Sequence, residues 1–193
     1  LIADLPEKPL EEDNLYFVSG VVSRETLEMA NTLESQGAIV LADEHVEVHT
    51  RDAKTILDTL TIKTTYPKLY TCVELVDRKN IEHCKMAKAD EIVVTGALST
   101  NLLVQAALDH GVTEIISELV SNRYGHALYK IAVPQACVGH SFLDVLTQLK
   151  TDQNLIVVAV GSQKEGKFLA NPPNSYIIDT QDQLVVIGQQ RPD

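Results

Sequence analysis

The five residues Ala38–Ala42 (AIVLA) are apolar without alternation, and they are too few to make a helix of ordinary length. A strand that is apolar on both faces belongs inside a parallel sheet, because only there are both faces covered. Stretches of helical periodicity lie on either side. Ser23 is placed to cap a helix that carries Leu27, Ala30, Asn31, Leu33 and Glu34 and stops at Gly37. Residues Thr50–Leu60 carry Ala53, Ile56, Leu57 and Leu60 at helical spacing. Strand-like runs recur at Asn14–Ser19 (NLYFVS), Leu69–Leu75 (LYTCVEL) and Glu91–Thr95 (EIVVT), with a short helix expected over Asn80–Ala87. Such alternation predicts right-handed βαβ units, hence an α/β, Rossmann-like parallel sheet with helices on both faces.

The chain opens Leu1-Ile2-Ala3-Asp4, an apolar strand ending in an acid. This is how the second strand of a nucleotide-binding unit reads, and the glycine-rich turn that precedes such a strand is absent. The first residue is Leu rather than Met. The sequence is therefore read as an internal piece of a longer protein, beginning inside a Rossmann-type domain. Pro6 and Pro9 argue against a helix over Leu5–Asp13.

After Thr95 the pattern changes. Ser99–Asp109 and Val112–Ser121 are two strongly apolar helices joined by His110-Gly111. Leu102, Leu103, Ala106, Ile115, Ile116 and Leu119 are more apolar surface than a small lobe needs, so they form a candidate partner-binding face. A polar joint ending at Gly125 follows, and the sequence divides into lobes 1–123 and 124–193. The second lobe reads as a small α+β unit. It has strands at Ala127–Val133, Asn154–Gly161, Lys167–Ala170 and Gln183–Gly188 around one helix, Ser141–Lys150.

The 193 residues carry a net charge of −11, which argues against nucleic acid and anionic lipid as partners. No apolar run approaches the roughly 20 residues of a membrane span. Cys72, Cys84 and Cys137 form no CxxC pair and read as small buried thiols.

Ligands of open parallel sheets lie beyond the carboxyl ends of the strands. The residues at those ends are Asp4, Ser19, Gly20, Asp43, Glu74 and Asp77. Asp4 stands where an acid accepts hydrogen bonds from a ribose. Glu74, flanked by Val73, Leu75 and Val76, must be paired, liganded or at an edge; with Asp43 or Asp77 it offers oxygens to a hard cation. His45, Glu47 and His49 would line one face if extended, a conceivable zinc set, although polar residues are expected anyway between a strand and a helix. No GxSxG elbow, Walker loop or HExxH is present, and His83, His110, His126 and His140 stand isolated. No acid–base pair with an activated nucleophile assembles, and the chain reads as non-enzymatic.

Three stretches resemble the regulator-of-potassium-conductance family, the cytoplasmic domains of ligand-gated potassium channels and of Trk/Ktr transport subunits. They are Tyr16–Gly20 (YFVSG) followed by Leu27–Asn31 (LEMAN); Ala38–Leu41 with Asn80–Val93 (NIEHCKMAKADEIV); and Asn171-Pro172-Pro173 before Gln181–Gly188 (QDQLVVIG). They occur in the family's order across nearly the whole chain. The resemblance implies a Rossmann-like lobe, a helix–turn–helix at Ser99–Ser121 that pairs with a second copy, and a C-terminal lobe. It further implies a homo-oligomer, dimers building an octameric ring at the cytoplasmic face of the membrane beneath a pore domain. NAD, another adenine nucleotide or calcium would shift that ring. Asp4, Ser19, Gly20 and Asp43 are then the nucleotide-side residues, and Glu74 with Asp43 the metal-side residues. The sequence departs from the family in reading Val21 after Gly20, and Ala42 and Val76 where some calcium-gated members carry acids. A peripheral Trk/Ktr subunit is the alternative, and an NAD-dependent oxidoreductase the rival from another class.

Overall fold

Three of the apolar runs pair side by side as a parallel sheet in the order β1-β2-β3: β1 Gly37–Val40, β2 Tyr70–Leu75 and β3 Glu91–Val94. The computed structural model describes residues 16–121, 125–164 and 166–192. It comprises two compact units, Leu1–Val104 and Gln105–Asp193.

The first unit holds α1 (Arg24–Met29), α2 (Val48–Thr65), α3 (Ile81–Met86) and the start of α4 (Thr95–Leu108). Ser23 caps α1 as expected, in a reciprocal pair with Thr26: the Thr26 N–H reaches Ser23 Oγ at 3.3 Å, and the Ser23 N–H reaches Thr26 Oγ1 at 3.0 Å. The helix is shorter than its pattern suggested. Thr32 Oγ1 donates to the Leu27 carbonyl at 2.7 Å and takes the acceptor that would continue the helix. Asn31 turns left-handed (φ 52°), and a single 3-10 turn follows. The strand expected at Asn14–Ser19 is absent from Tyr16–Ser19; its first two residues lie outside the described residues.

The AIVLA run also differs from expectation. β1 pairs only with β2 among the described residues, and Ile39 is 75% exposed. Ile39, Tyr70 and Val93 share one sheet face through the register Ile39↔Cys72 and Glu74↔Val93. All three are exposed, so the expected cover of helices on both faces is found on one face only among the described residues. The opposite face carries Val40, Thr71, Val73 and Leu75, which are buried in a core with Leu27, Ile62, Leu69 and Cys84.

Helix α2 lies on that core with an unexpected side inward. Its buried residues include Asp52, Thr55, Thr59 and Lys63, spaced about one helical turn apart. The apolar stripe Ala53, Leu57 and Leu60 faces outward, with Leu57 62% exposed and Ile56 only partly buried. The threonines satisfy themselves: Thr55 Oγ1 donates to the Arg51 carbonyl (3.1 Å) and Thr59 Oγ1 to the Thr55 carbonyl (2.7 Å). The two charges act as bolts. Asp52 accepts from the Val76 and Asp77 amides (2.9 and 3.0 Å) and from Asn80 Nδ2 (2.6 Å), beyond the carboxyl end of β2. Lys63 Nζ donates to the Leu69 carbonyl (2.9 Å) and to Asp90 Oδ2 (2.8 Å), which also accepts from the Thr71 amide at 2.7 Å, at the amino end of β2.

The second unit contains α5 (Val112–Val120), α6 (Phe142–Gln153) and a four-stranded antiparallel sheet ordered β4-β7-β5-β6: β4 Ala127–Ala132, β5 Ile156–Ser162, β6 Lys167–Ala170 and β7 Gln183–Gly188. These match the expected strands closely. Ser141 caps α6. Phe142, Val145 and Leu149 of α6 meet Val157, Val160, Leu184 and Val186 in the second core. The buried Asp182 carboxylate ties the return loop by accepting from Tyr176 OH (3.0 Å) and the Asp179 amide (2.9 Å).

This arrangement sets an unusual mutational order. Asp52→Ala strands two amides and the Asn80 side chain, and is expected to lose about 2–4 kcal/mol. Leu57→Ala, at a position that reads as core, is expected to lose less than about 0.5 kcal/mol because its side chain is already in water. Urea denaturation midpoints of the two variants check this.

Candidate functional site

The carboxyl ends of the strands form a polar edge built from three segments: residues 41–47 after β1, residues 76–80 after β2, and the β3–α4 junction. The first segment carries Asp43 and contacts Glu74 of β2 through Ala42. Glu74 Oε2 accepts from the Ala42 amide at 3.0 Å, extending the β1–β2 pairing by a side chain after the ladder stops at Val40. That bond answers the question posed by a carboxylate within an apolar strand: Glu74 is half-buried and held at the residue preceding Asp43.

Asp43 is itself engaged. Its Oδ1 accepts from the His45 amide at 3.0 Å, and its Oδ2 takes Lys54 Nζ at 2.5 Å. The hydrogen bond from Lys54, followed by that from the His45 amide, holds the Asp43 carboxyl below the usual carboxylate range. Calcium takes six to eight oxygens, and Lys54 already occupies one of Asp43's two. Among the described residues no group of three or more His, Cys, Asp or Glu side chains is disposed to hold a metal. The extended His45/Glu47/His49 arrangement does not form, because residues 44–46 turn and α2 begins at Val48.

Ser19 and Gly20 lie just before α1, and Ser19 is exposed. Gly20 has φ 140°, and a Cβ there would stand 3.0 Å from Thr26 Cγ2, so the position favours glycine. Asp4 lies outside the described residues. Asp77 turns back on its own loop: it accepts from the Lys79 amide at 3.0 Å and pairs with Lys79 Nζ at 2.8 Å.

Sequence reasoning missed Asp52, which reaches this edge through its bonds to Val76, Asp77 and Asn80. It looked like an ordinary surface acid in the first turns of a helix. The available signal was its phase: Asp52, Thr55, Thr59 and Lys63 share a face, which becomes legible only once an inward polar side is entertained.

The second candidate surface is the helix pair. Gly111, between α4 and α5, has φ 89°, a left-handed backbone that favours glycine. Neither helix buries a single side chain among the described residues. Leu103 is 72% and Ile115 60% exposed, while Leu102, Ala106, Ile116 and Leu119 are partly covered. Glu118 Oε1 accepts from the His126 amide at 2.9 Å and ties the end of α5 to the start of β4.

Lys54→Met is expected to raise the Asp43 carboxyl toward the ordinary value of about 3.9. The carboxyl carbon shift followed by NMR across acid pH measures this; an Asp43 titration identical in both proteins would remove Lys54 as the cause.

Comparison with known proteins places this geometry. The chain is 25% identical over 186 residues to the calcium-gated potassium channel TvoK of Thermoplasma volcanium, a match covering 92% of this chain and 51% of the relative. It is 26% identical over 188 residues to the putative potassium channel protein YugO of Bacillus subtilis, covering 95% and 55% respectively. The chain thus spans about half the length of these curated relatives. Among solved structures, the human SLO3 gating ring matches with a TM-score of 0.71 at 17% identity, over 90% of this chain and 36% of that one, which shows a shared fold. The resemblance to regulator-of-potassium-conductance domains read from the sequence is borne out. Residues 96–193, from the root of α4 to the end of the chain, match the family described as Castor and Pollux, part of voltage-gated ion channel. The chain belongs to the Castor and Pollux family.

Proposed function

We propose that this chain is a ligand-sensing regulatory part of a potassium channel, placed at the cytoplasmic face of the membrane, which works by assembling with further copies of itself. The observation that carries the reading is the α4–α5 pair: two apolar helices with no buried side chain among the described residues. A surface of that kind in water calls for a partner. A second copy would give Leu102, Leu103 and Ala106 of α4 and Ile115, Ile116 and Leu119 of α5 a partner surface, with the same residues used on both copies. Both curated relatives bear the name of potassium channels, which favours the channel over a separate transport subunit.

In this reading the polar edge of the first unit is where an effector bears on the assembly. Ser19, Gly20 and Asp43 are the described residues a nucleotide such as NAD would meet. Asp43 and Glu74 are those a cation would meet, completing its shell with water or further oxygens. The name of the Thermoplasma relative supports calcium as one such effector. A ligand of either kind changes the assembly only through different affinities for two of its shapes. The chain's role is then mechanical rather than catalytic.

Two outcomes test the reading. Ile115→Asp is expected to reduce the chain to a monomer in sedimentation velocity while leaving its thermal melt nearly unchanged, because the side chain is exposed within one copy. A wild-type chain already monomeric at high concentration would overturn the self-assembly. Potassium flux through liposomes containing the full-length protein is expected to change on adding calcium or an adenine nucleotide, and the calcium response is expected to weaken in Glu74→Gln. Flux indifferent to both ligands would overturn the sensing role.

A further inference from the structure

Lys54 is one cation set between two carboxylates. Its Nζ lies 2.5 Å from Asp43 Oδ2. One turn further along α2 stands Asp58, half-buried and without a hydrogen bond or ion pair among the described residues. Residues four apart on a helix are neighbours on its surface, so the Lys54 side chain has Asp58 within reach as well. Asp58 feels both groups. Burial lifts its carboxyl above the ordinary range, Lys54 opposes that lift, and Asp43 adds to it.

The loop after β1 has other ties than Lys54. Arg51 Nε donates to the Val46 carbonyl and Arg51 Nη2 to the Glu44 carbonyl, both at 2.9 Å, which fastens residues 44–46 to the start of α2. Asp43 Oδ1 holds the His45 amide at 3.0 Å independently of what meets Oδ2. Lys54 Nζ can therefore leave Asp43 without releasing the backbone around it. An ammonium that leaves a carboxylate for water loses its ion pair, whereas one that passes to a second carboxylate regains it.

We infer that Lys54 has two seats, Asp43 and Asp58, and passes from the first to the second when another cation takes Asp43. In the structure it occupies the first. The arriving cation takes Asp43 Oδ2, the ammonium turns along α2 to Asp58, and each carboxylate ends with a partner. The move carries one positive charge roughly 6 Å along the helix. It also sets a threshold, because a cation has to displace an ammonium before it binds. The trigger rests on the proposed reading of Asp43 as a cation-side residue; the two seats do not.

NMR of the lysine ammonium groups, read through couplings across hydrogen bonds to carboxyl carbons, identifies the seat. In the wild-type chain Lys54 Nζ is expected to couple to the Asp43 carboxyl. Asp43→Asn removes the first seat with no metal added, and there Nζ is expected to couple to Asp58, with amide shifts outside residues 41–58 unchanged as the check on folding. A Lys54 left in water in Asp43→Asn, or coupled to any other carboxylate, would overturn the inference. Calcium added to wild type is expected to produce the same change of partner. Asp58→Asn is expected to weaken calcium binding about threefold in calorimetry, because the displaced ammonium then has no second seat. An unaltered calcium affinity in Asp58→Asn counts against the device. Calcium that fails to bind, beside a Lys54 that still moves to Asp58 in Asp43→Asn, sinks the cation reading and supports the two seats.

Discussion

The Asp52 carboxylate is the constraint on which the first unit depends. It is a full charge out of water, tolerable because three donors meet it, two of them amides that the end of β2 would otherwise leave unpaired. By holding Val76 and Asp77 it fixes the course of the β2–α3 loop. Upon that loop rest the cap of α3 and the first turn of α4. Thr95 Oγ1 leans on the Leu75 carbonyl at 3.4 Å, and Gly96 lies close enough to Val76 that only a hydrogen fits. At the other end of α2, Lys63 does the corresponding work for Leu69 and, through Asp90, for Thr71. Burial opposes the ionised form of Asp90, yet the Lys63 hydrogen bond and the Thr71 amide outweigh it and hold this carboxyl below its usual range.

Much of the architecture was legible because it rests on patterns that tertiary structure does not overrule. The second unit is the clearest case. Alternating strands, the Asn171-Pro172-Pro173 turn and the Ser141 cap each specify local geometry, and β4 to β7 fall where their residues indicated. The first unit was legible in order but not in orientation. Periodicity identifies a face of α2 and assigns it to the core by hydrophobicity, and here the core side joins buried Ile62 to the bonds of Asp52 and Lys63. The same assumption placed AIVLA in mid-sheet, whereas Ile39 stands exposed. The break after α1 was invisible because it depends on one hydroxyl, that of Thr32, competing for a carbonyl.

The candidate site was legible in part for a related reason. Asp43 and Glu74 were singled out by their position at strand ends, and Glu74 accepts from the amide of Ala42, the residue before Asp43. Their partners were not foreseeable, since Lys54 lies on the next helix and reaches Asp43 only after α2 is seated. The apolar helix pair needed no tertiary information, because its excess of hydrophobic surface is already a property of composition along 99–121.

A helix seated by directional bonds behaves differently from one seated by grease. Apolar contacts let neighbouring elements creep by fractions of a turn, trading one methyl for another. α2 has no such freedom: a twist of one residue swings Asp52 and Lys63 away from their acceptors and donors at once, with nothing equivalent to receive them. Helix and sheet must therefore travel as a single keyed piece, and any displacement imposed at its rim reaches the root of α4 undiminished.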